Sequence, residues 1–161
     1  QEEGYMRKRD LMEVTSKVLE IAEKYKDKFV NINVDDSGLG GGVTDRLKEV
    51  VREKGLRINV YGVNNGAAAR DKDLYLNVGA EMWFFMREHI KQIKIPNDSD
   101  LIAQLSSRKY KISTSGKHML EAKEQMKERG LPSPDRADAL LLCFSSLIYG
   151  LNDRKHLTFV A

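Results

Sequence analysis

Apolar residues recur at helical spacing from the first well-patterned stretch of the chain. Leu11, Val14, Val18, Leu19, Ile21 and Ala22 form one stripe with lysines and glutamates opposite, which predicts a helix from about Asp10 to Lys26. The period then changes. Phe29 to Val34 is an apolar run rich in β-branched residues and predicts a buried strand that delivers Asp35 and Asp36 to its carboxyl end. A glycine-rich turn, Gly38-Leu-Gly-Gly-Gly42, opens into a helix whose buried face is Val43, Leu47, Val50 and Val51, ending near Lys54 where Gly55 stops it. Leu56 to Val63 predicts a second strand. Residues 29–63 therefore read as a βαβ unit, its strands parallel and joined by a right-handed crossover.

Beyond Val63 the signals shorten. Asn64 to Leu74 is small and polar, a loop at the carboxyl end of the second strand. Tyr75 to about Ile93 predicts a long helix, with Trp83, Phe84, Phe85 and Met86 as core packing. Ile93 to Pro96 suits a short edge strand, and Asp98 or Ser99 suits the cap of a helix through Leu105. Tyr110 to Ser113 predicts a strand and Ser115-Gly116 a turn. A charged helix then runs from about Lys117 to Arg129 and stops at Gly130. Last comes an apolar helix through about Leu147, with Ser133 as N-cap, Pro134 at the first helical position and Asp135 in the first turn.

Composition narrows the class without naming a function. Hydrophobic content of 41% and charged content of 32% over 161 residues fit one globular domain. Cys143 is the single cysteine, so no disulfide forms within the chain and an intracellular setting is expected. No apolar run nears the roughly 20 residues of a membrane span, so neither a leader nor a membrane partner is expected. A net charge of +3 does not by itself mark a nucleic-acid binder. Local basic clusters at Arg7-Lys8-Arg9, at Arg108-Lys109-Tyr110-Lys111, and at Lys123, Lys127 and Arg129 are solvated faces that would suit a polyanion.

Candidate chemistry gathers at two acidic places. At the first, the glycines give the backbone room beside Asp35 and Asp36, but no Lys-Ser/Thr follows them as a phosphate loop requires, and the dinucleotide register is absent. A carboxylate repels phosphate unless a cation lies between. From this segment alone a metal-assisted site and a simple strand-to-helix turn, capped by Asp36 or Ser37, stand level. At the second, Asp135 and Asp138 are three apart and share one face of a greasy helix, which asks for a partner or a metal. Helix capping accounts for Asp135 equally well. Glu81 reads as structural, pairing with an arginine. His89, His118 and His156 share no ligand spacing, although His118 in a basic segment is within reach of DNA.

Four motifs in order then carry a resemblance. Val34-Asp-Asp-Ser-Gly-Leu-Gly-Gly-Gly-Val-Thr-Asp-Arg-Leu47, Tyr75-Leu-Asn-Val-Gly-Ala-Glu-Met-Trp83, the stretch from Lys117 to Gly130, and Ser133-Pro-Asp-Arg-Ala-Asp-Ala-Leu140 resemble the carboxy-terminal nuclease domain of the large terminase subunit of tailed bacteriophages and prophages. The match covers about residues 10–148, leaving 149–161 as a tail. The resemblance implies an α/β, RNase H-like mixed sheet flanked by helices. It implies an endonuclease that cuts concatemeric viral double-stranded DNA during packaging by two-metal phosphodiester hydrolysis, with Mg²⁺ or Mn²⁺ as cofactor. It also implies the portal and small terminase subunit as partners and the host cytoplasm as location.

Carried onto this chain, the family's second acidic position falls on Asp35 and its third on Asp135, with Asp138 in a secondary metal role. Gly40, Gly41 and Gly42 would admit the DNA backbone, and Arg108, Lys109, Lys111 and Lys117 would hold phosphates. The family's first catalytic aspartate, on an opening strand, and the ATPase domain expected before it find no match in residues 1–9. The expectation is therefore a single nuclease-like domain truncated at its amino end and lacking its first strand or strands. A catalytically incomplete module that binds DNA or packaging partners, or another RNase H-like nuclease such as a junction resolvase, are the alternative readings.

Overall fold

The computed structural model describes residues 10–38 and 40–148, so the expected tail at 149–161, the first basic cluster and His156 lie outside the described residues. The chain divides into two compact units, one reaching Asn64 and the other starting at Asn65.

The first unit is the βαβ element with a helix before it. Helix α1 spans Leu11–Glu23, its first turn closed by a capping box in which Asp10 Oδ1 accepts the Glu13 N–H at 2.7 Å. Strand β1, Val30–Asp35, lies parallel to β2, Ile58–Val63, in the register Val30 to Ile58 through Asp35 to Val63. Between them α2 runs from Gly40 to Glu53. Leu19, Leu47 and Val50 form the core, and Ile32, Val34 and Val60 pack onto it from the strands. Alternation along β1 therefore turns Asn31, Asn33 and Asp35 to the sheet face opposite that core. A side chain such as Leu47, fully enclosed, contributes about 2–3 kcal/mol by leaving water.

In the second unit α3 spans Val78–His89 and is followed by a single 3₁₀ turn, Ile90–Gln92. Its onset is three residues later than the sequence predicts, because Asn77 caps it by accepting the Ala80 N–H at 2.9 Å. Tyr75 instead bridges a strand. Segment 65–71 wraps this helix start: Ala67 and Asn65 carbonyls accept from Val78 and Gly79, and the buried Glu81 carboxylate accepts the Arg70 and Asp71 N–H groups at 2.8 and 3.0 Å. Glu81 is thus structural as expected, although these contacts are with backbone amides. The expected edge strand at 93–96 is irregular chain. Helix α4, Ser99–Ser107, is capped by Asp98.

The largest departure follows. Strand β3, Tyr110–Ile112, pairs antiparallel with β4, His118–Leu120, where the sequence predicts the start of a charged helix. Gly116 at φ 80° makes the reversal, and Ser113 and Lys117 close it, so the helix α5 keeps only Lys123–Glu128. Helix α6, Asp135–Ile148, packs against α3 and α4. Among the described residues no helix is long and apolar enough to cross a membrane.

Candidate active-site carboxylates

In the first unit the two aspartates after β1 do different things. Asp36 donates its N–H to the Val63 carbonyl at 2.9 Å, and its Oδ1 accepts the hydroxyl of buried Thr44 at 2.9 Å. Its carboxyl lies over Gly62, where an added Cβ would come within 2.8 Å of the carboxyl carbon. Asp36 is therefore a clamp between the end of β1, the neighbouring strand and the first turns of α2. Asp35, the last strand residue, is half-buried, and its Oδ1 accepts the Ser37 N–H at 3.0 Å.

The glycines have reasons internal to the chain. A Cβ on Gly40 would stand 1.6 Å from the Asp35 carbonyl oxygen, and one on Gly42 would stand 2.5 Å from Leu11 Cδ1. Close approach to the Asp35 main chain thus accounts for Gly40 without a ligand, whereas at Gly42 the obstacle is only the end of the flexible Leu11 side chain. Gly41 differs, its nearest neighbour being Asp36 Oδ1 at 3.6 Å, an ordinary contact. Only Gly38, at φ 75°, needs glycine for its backbone angle here.

In the second unit Asp135 and Asp138 both open α6. Asp135 is exposed, accepts the Ser133 hydroxyl at 2.7 Å and lies 3.7 Å from Lys123 Nζ. The Ser133 hydroxyl is thereby a donor to Asp135, and the amide ends of the helix are capped from elsewhere: Gln104 Oε1 on α4 accepts from Arg136 and Ala137 N–H at 2.9 and 3.1 Å. Asp138 sits deeper and is already balanced. Its Oδ1 takes Arg108 at 3.1 Å and the Trp83 indole N–H at 3.4 Å, while its Oδ2 takes Lys123 at 2.8 Å.

Arg108 is accordingly turned inward. Its guanidinium lies 5.1 Å from the Trp83 ring centre, reaches the Glu121 carbonyl at 3.3 Å, and is pushed below its usual range by burial, with Asp138 and Glu121 pulling the other way. Of the other basic residues expected to hold phosphates, Lys109 and Lys111 are exposed and Lys117 is half-buried. His118 is a strand residue whose ring packs among Tyr75, Phe84 and Tyr110, and no longer part of a basic helix. Trp83 and Gln104 escaped sequence reasoning, since an indole in an aromatic run and a lone glutamine carry no pattern that announces a carboxylate partner or a distant cap.

As donors, exposed Asp135 and half-buried Asp35 offer the hard oxygens that Mg²⁺ or Mn²⁺ prefers. Asp138 fits that role less well, because a divalent ion would have to displace the Lys123 ammonium from it. Among the described residues no group of three His, Cys, Asp or Glu stands together to hold a metal ion.

No protein-family model matches the sequence, and no curated protein matches it. Solved structures do. The chain is similar to the nuclease domain of the large terminase subunit gp2 of bacterial virus Sf6, with a TM-score of 0.60 at 20% identity over 83% of this chain and 70% of that one. A mutant form of that domain with manganese and beta-thujaplicinol gives a TM-score of 0.61, and one with calcium gives 0.60, at the same identity and coverage. The chain therefore has the fold of a phage terminase nuclease domain, the RNase H-like α/β arrangement expected from its motifs.

Proposed function

We propose that this chain is the nuclease domain of a viral DNA-packaging terminase, an endodeoxyribonuclease that cuts concatemeric double-stranded DNA. The observation that carries the reading is the shared fold, together with Asp35 at the carboxyl end of a parallel strand, the position where α/β proteins present reactive groups. Asp35 and Asp135 are the proposed catalytic carboxylates, holding divalent Mg²⁺ or Mn²⁺ ions, with Asp138 orienting Lys123 and Arg108 nearby. A divalent ion held by these carboxylates would supply the Lewis acid that makes water a nucleophile at neutral pH and would offset charge on the phosphodiester. Metals in the two neighbouring structures, manganese and calcium, support a divalent requirement.

Other residues prepare the substrate. Gly41, whose nearest neighbour is Asp36 Oδ1 at an ordinary 3.6 Å, stands in the glycine run after Asp35, where a sugar-phosphate chain would pass. Lys109, Lys111 and Lys117 attract phosphates without reading sequence, so that binding weakens as salt rises. The portal and the small terminase subunit are the partners this reading brings with it.

Nicking of supercoiled plasmid with Mn²⁺ tests the proposal. Asp35→Asn and Asp135→Asn are each expected to reduce it by more than about a hundredfold, since even residues one shell out from a metal reach that scale. Their far-UV circular dichroism should match the parent. Undiminished cutting by both variants would sink the assignment.

A further inference from the structure

The hairpin of β3 and β4 carries an aromatic group that the proposed cutting reaction does not use. Alternation puts Tyr110 and Ile112 on one side of β3 and Lys109 and Lys111 on the other, with Tyr110 opposite Leu120 and Ile112 opposite His118. On the first side the rings nest. Phe84 stands 4.4 Å from His118, 5.5 Å from Tyr75 and 5.1 Å from Tyr110, the last at 79°. Buried Phe84 with Tyr75 and His118 is enough to seat the hairpin on α3. Tyr110 and Ile112 go beyond that need, being 49% and 55% exposed.

Tyr110 also has neighbours that orient it. Its ring meets Phe84 edge-on, and the Arg87 guanidinium lies 5.6 Å from both ring centres. Strand phase adds a further point. Glu121 N–H donates to the Lys109 carbonyl and Ser113 N–H to the Lys117 carbonyl, so the odd-numbered residues of β3 bond to β4 while Tyr110 and Ile112 turn their backbone groups outward. The result is a strand edge that presents an exposed aromatic ring and a branched apolar side chain, with Arg87 on the ring's side and Lys109 and Lys111 on the opposite side of the strand.

Phosphates of a closed duplex would need the cations alone. An exposed ring braced by an arginine fits an unstacked nucleobase, and the lysines that alternate with it along the strand suit the phosphates of a backbone crossing the hairpin. We infer that Tyr110 is a stacking platform for an unpaired base of a DNA strand. The inference rests on the reading that this chain acts on DNA, and it assigns the hairpin to frayed, nicked or flipped nucleotides. An acidic protein segment would answer the charges and the strand edge equally, but would have no use for the π-face. That difference makes the two occupants separable.

The test is fluorescence anisotropy of the whole 161-residue chain with a labelled oligothymidine and with a blunt duplex of equal phosphate count. Tyr110→Leu, which keeps apolar bulk against Phe84, is expected to weaken oligothymidine binding about five- to a hundredfold and to leave duplex binding within about twofold. Tyr110→Phe should bind both within about twofold of the parent. Circular dichroism melts of both variants establish that the hairpin stays folded. Equal losses on both DNAs, a Phe variant as weak as the Leu variant, or polyglutamate binding with the same Tyr110 dependence would each overturn the inference. If the parent binds duplex and loses it on Lys109→Ala or Lys111→Ala, yet binds oligothymidine without regard to Tyr110, the DNA reading stands and the platform falls. A parent that binds neither DNA ends both.

Discussion

Gly40 offers a test in which neighbouring positions give opposite signs. A methyl group there would lie 1.6 Å from the Asp35 carbonyl oxygen and 2.8 Å from its carbon. Carbon and carbonyl oxygen ordinarily stay about 3.3 Å apart or more, so backbone must move by roughly half that distance. The obstacle is main chain on both sides, β1 at one end and the first turn of α2 at the other, and neither can rotate away. Overpacking typically costs about 1–3 kcal/mol where side chains can give. Gly40→Ala should therefore lose about 3 kcal/mol or more. Gly41→Ala meets only Asp36 Oδ1 at 3.6 Å and gains helix propensity, for a change between zero and about 1 kcal/mol of stabilisation. Urea unfolding followed by circular dichroism reads both. With an m-value of about 1.5 kcal/mol/M, the Gly40 variant moves the midpoint down by about 2 M. Equal effects at the two positions, or a neutral Gly40→Ala, would refute the close-approach explanation of these glycines.

Further expectations concern the second unit. Arg108→Ala leaves Asp138 short of a buried partner and strips a cation from Trp83, with an expected loss of about 3 kcal/mol. Adding Asp138→Ala should restore part of it in a double-mutant cycle. The same Arg108 variant should leave the salt dependence of DNA binding unchanged, while Lys109→Ala, Lys111→Ala or Lys117→Ala each lowers the slope of log affinity against log salt by about one. Glu121 is held below the usual carboxylate range, chiefly by its hydrogen bonds to Arg129. Its stabilisation is complete above the ordinary glutamate range and is lost as pH falls through the lowered value. Glu121→Gln should therefore destabilise at neutral pH, with the difference from the parent shrinking in acid, as urea midpoints across pH would show. Burial raises the Cys143 thiol above its usual range, so alkylation by iodoacetamide should be slower than for a small thiol until denaturant is added.

The parts that were legible from sequence are those where one local rule acts alone. Alternating Val30, Ile32 and Val34, a helical stripe at Leu47 and Val50, and a second apolar run left only a parallel βαβ unit. Asp98 and Gly116 were likewise readable, as a cap and a turn. The errors came where distant residues decide. His118-Met-Leu120 precedes a charged stretch that reads as helix, and only pairing with Tyr110–Ile112 and with Tyr75 makes it a strand. Tyr75 looked helical for the matching reason. Acidic residues were recognisable as candidates, but their partners were not: Trp83, Arg108 and Lys123 converge on Asp138 from three elements, and no spacing along the chain encodes that.

Gln104 has a wider meaning. Because a side chain on α4 closes the amide end of α6, the place where that helix begins is a joint property of two segments rather than of its own Ser-Pro-Asp signal. A single amide oxygen thereby sets the phase of every residue that follows, the two aspartates among them. Arg136, which holds Asp98 at 2.7 Å, ties the start of α6 to the start of α4 as well. Sequence drift in α4 would thus retune the chemistry of α6 without touching it, and a graft of the acidic helix into another scaffold would have to bring its glutamine along.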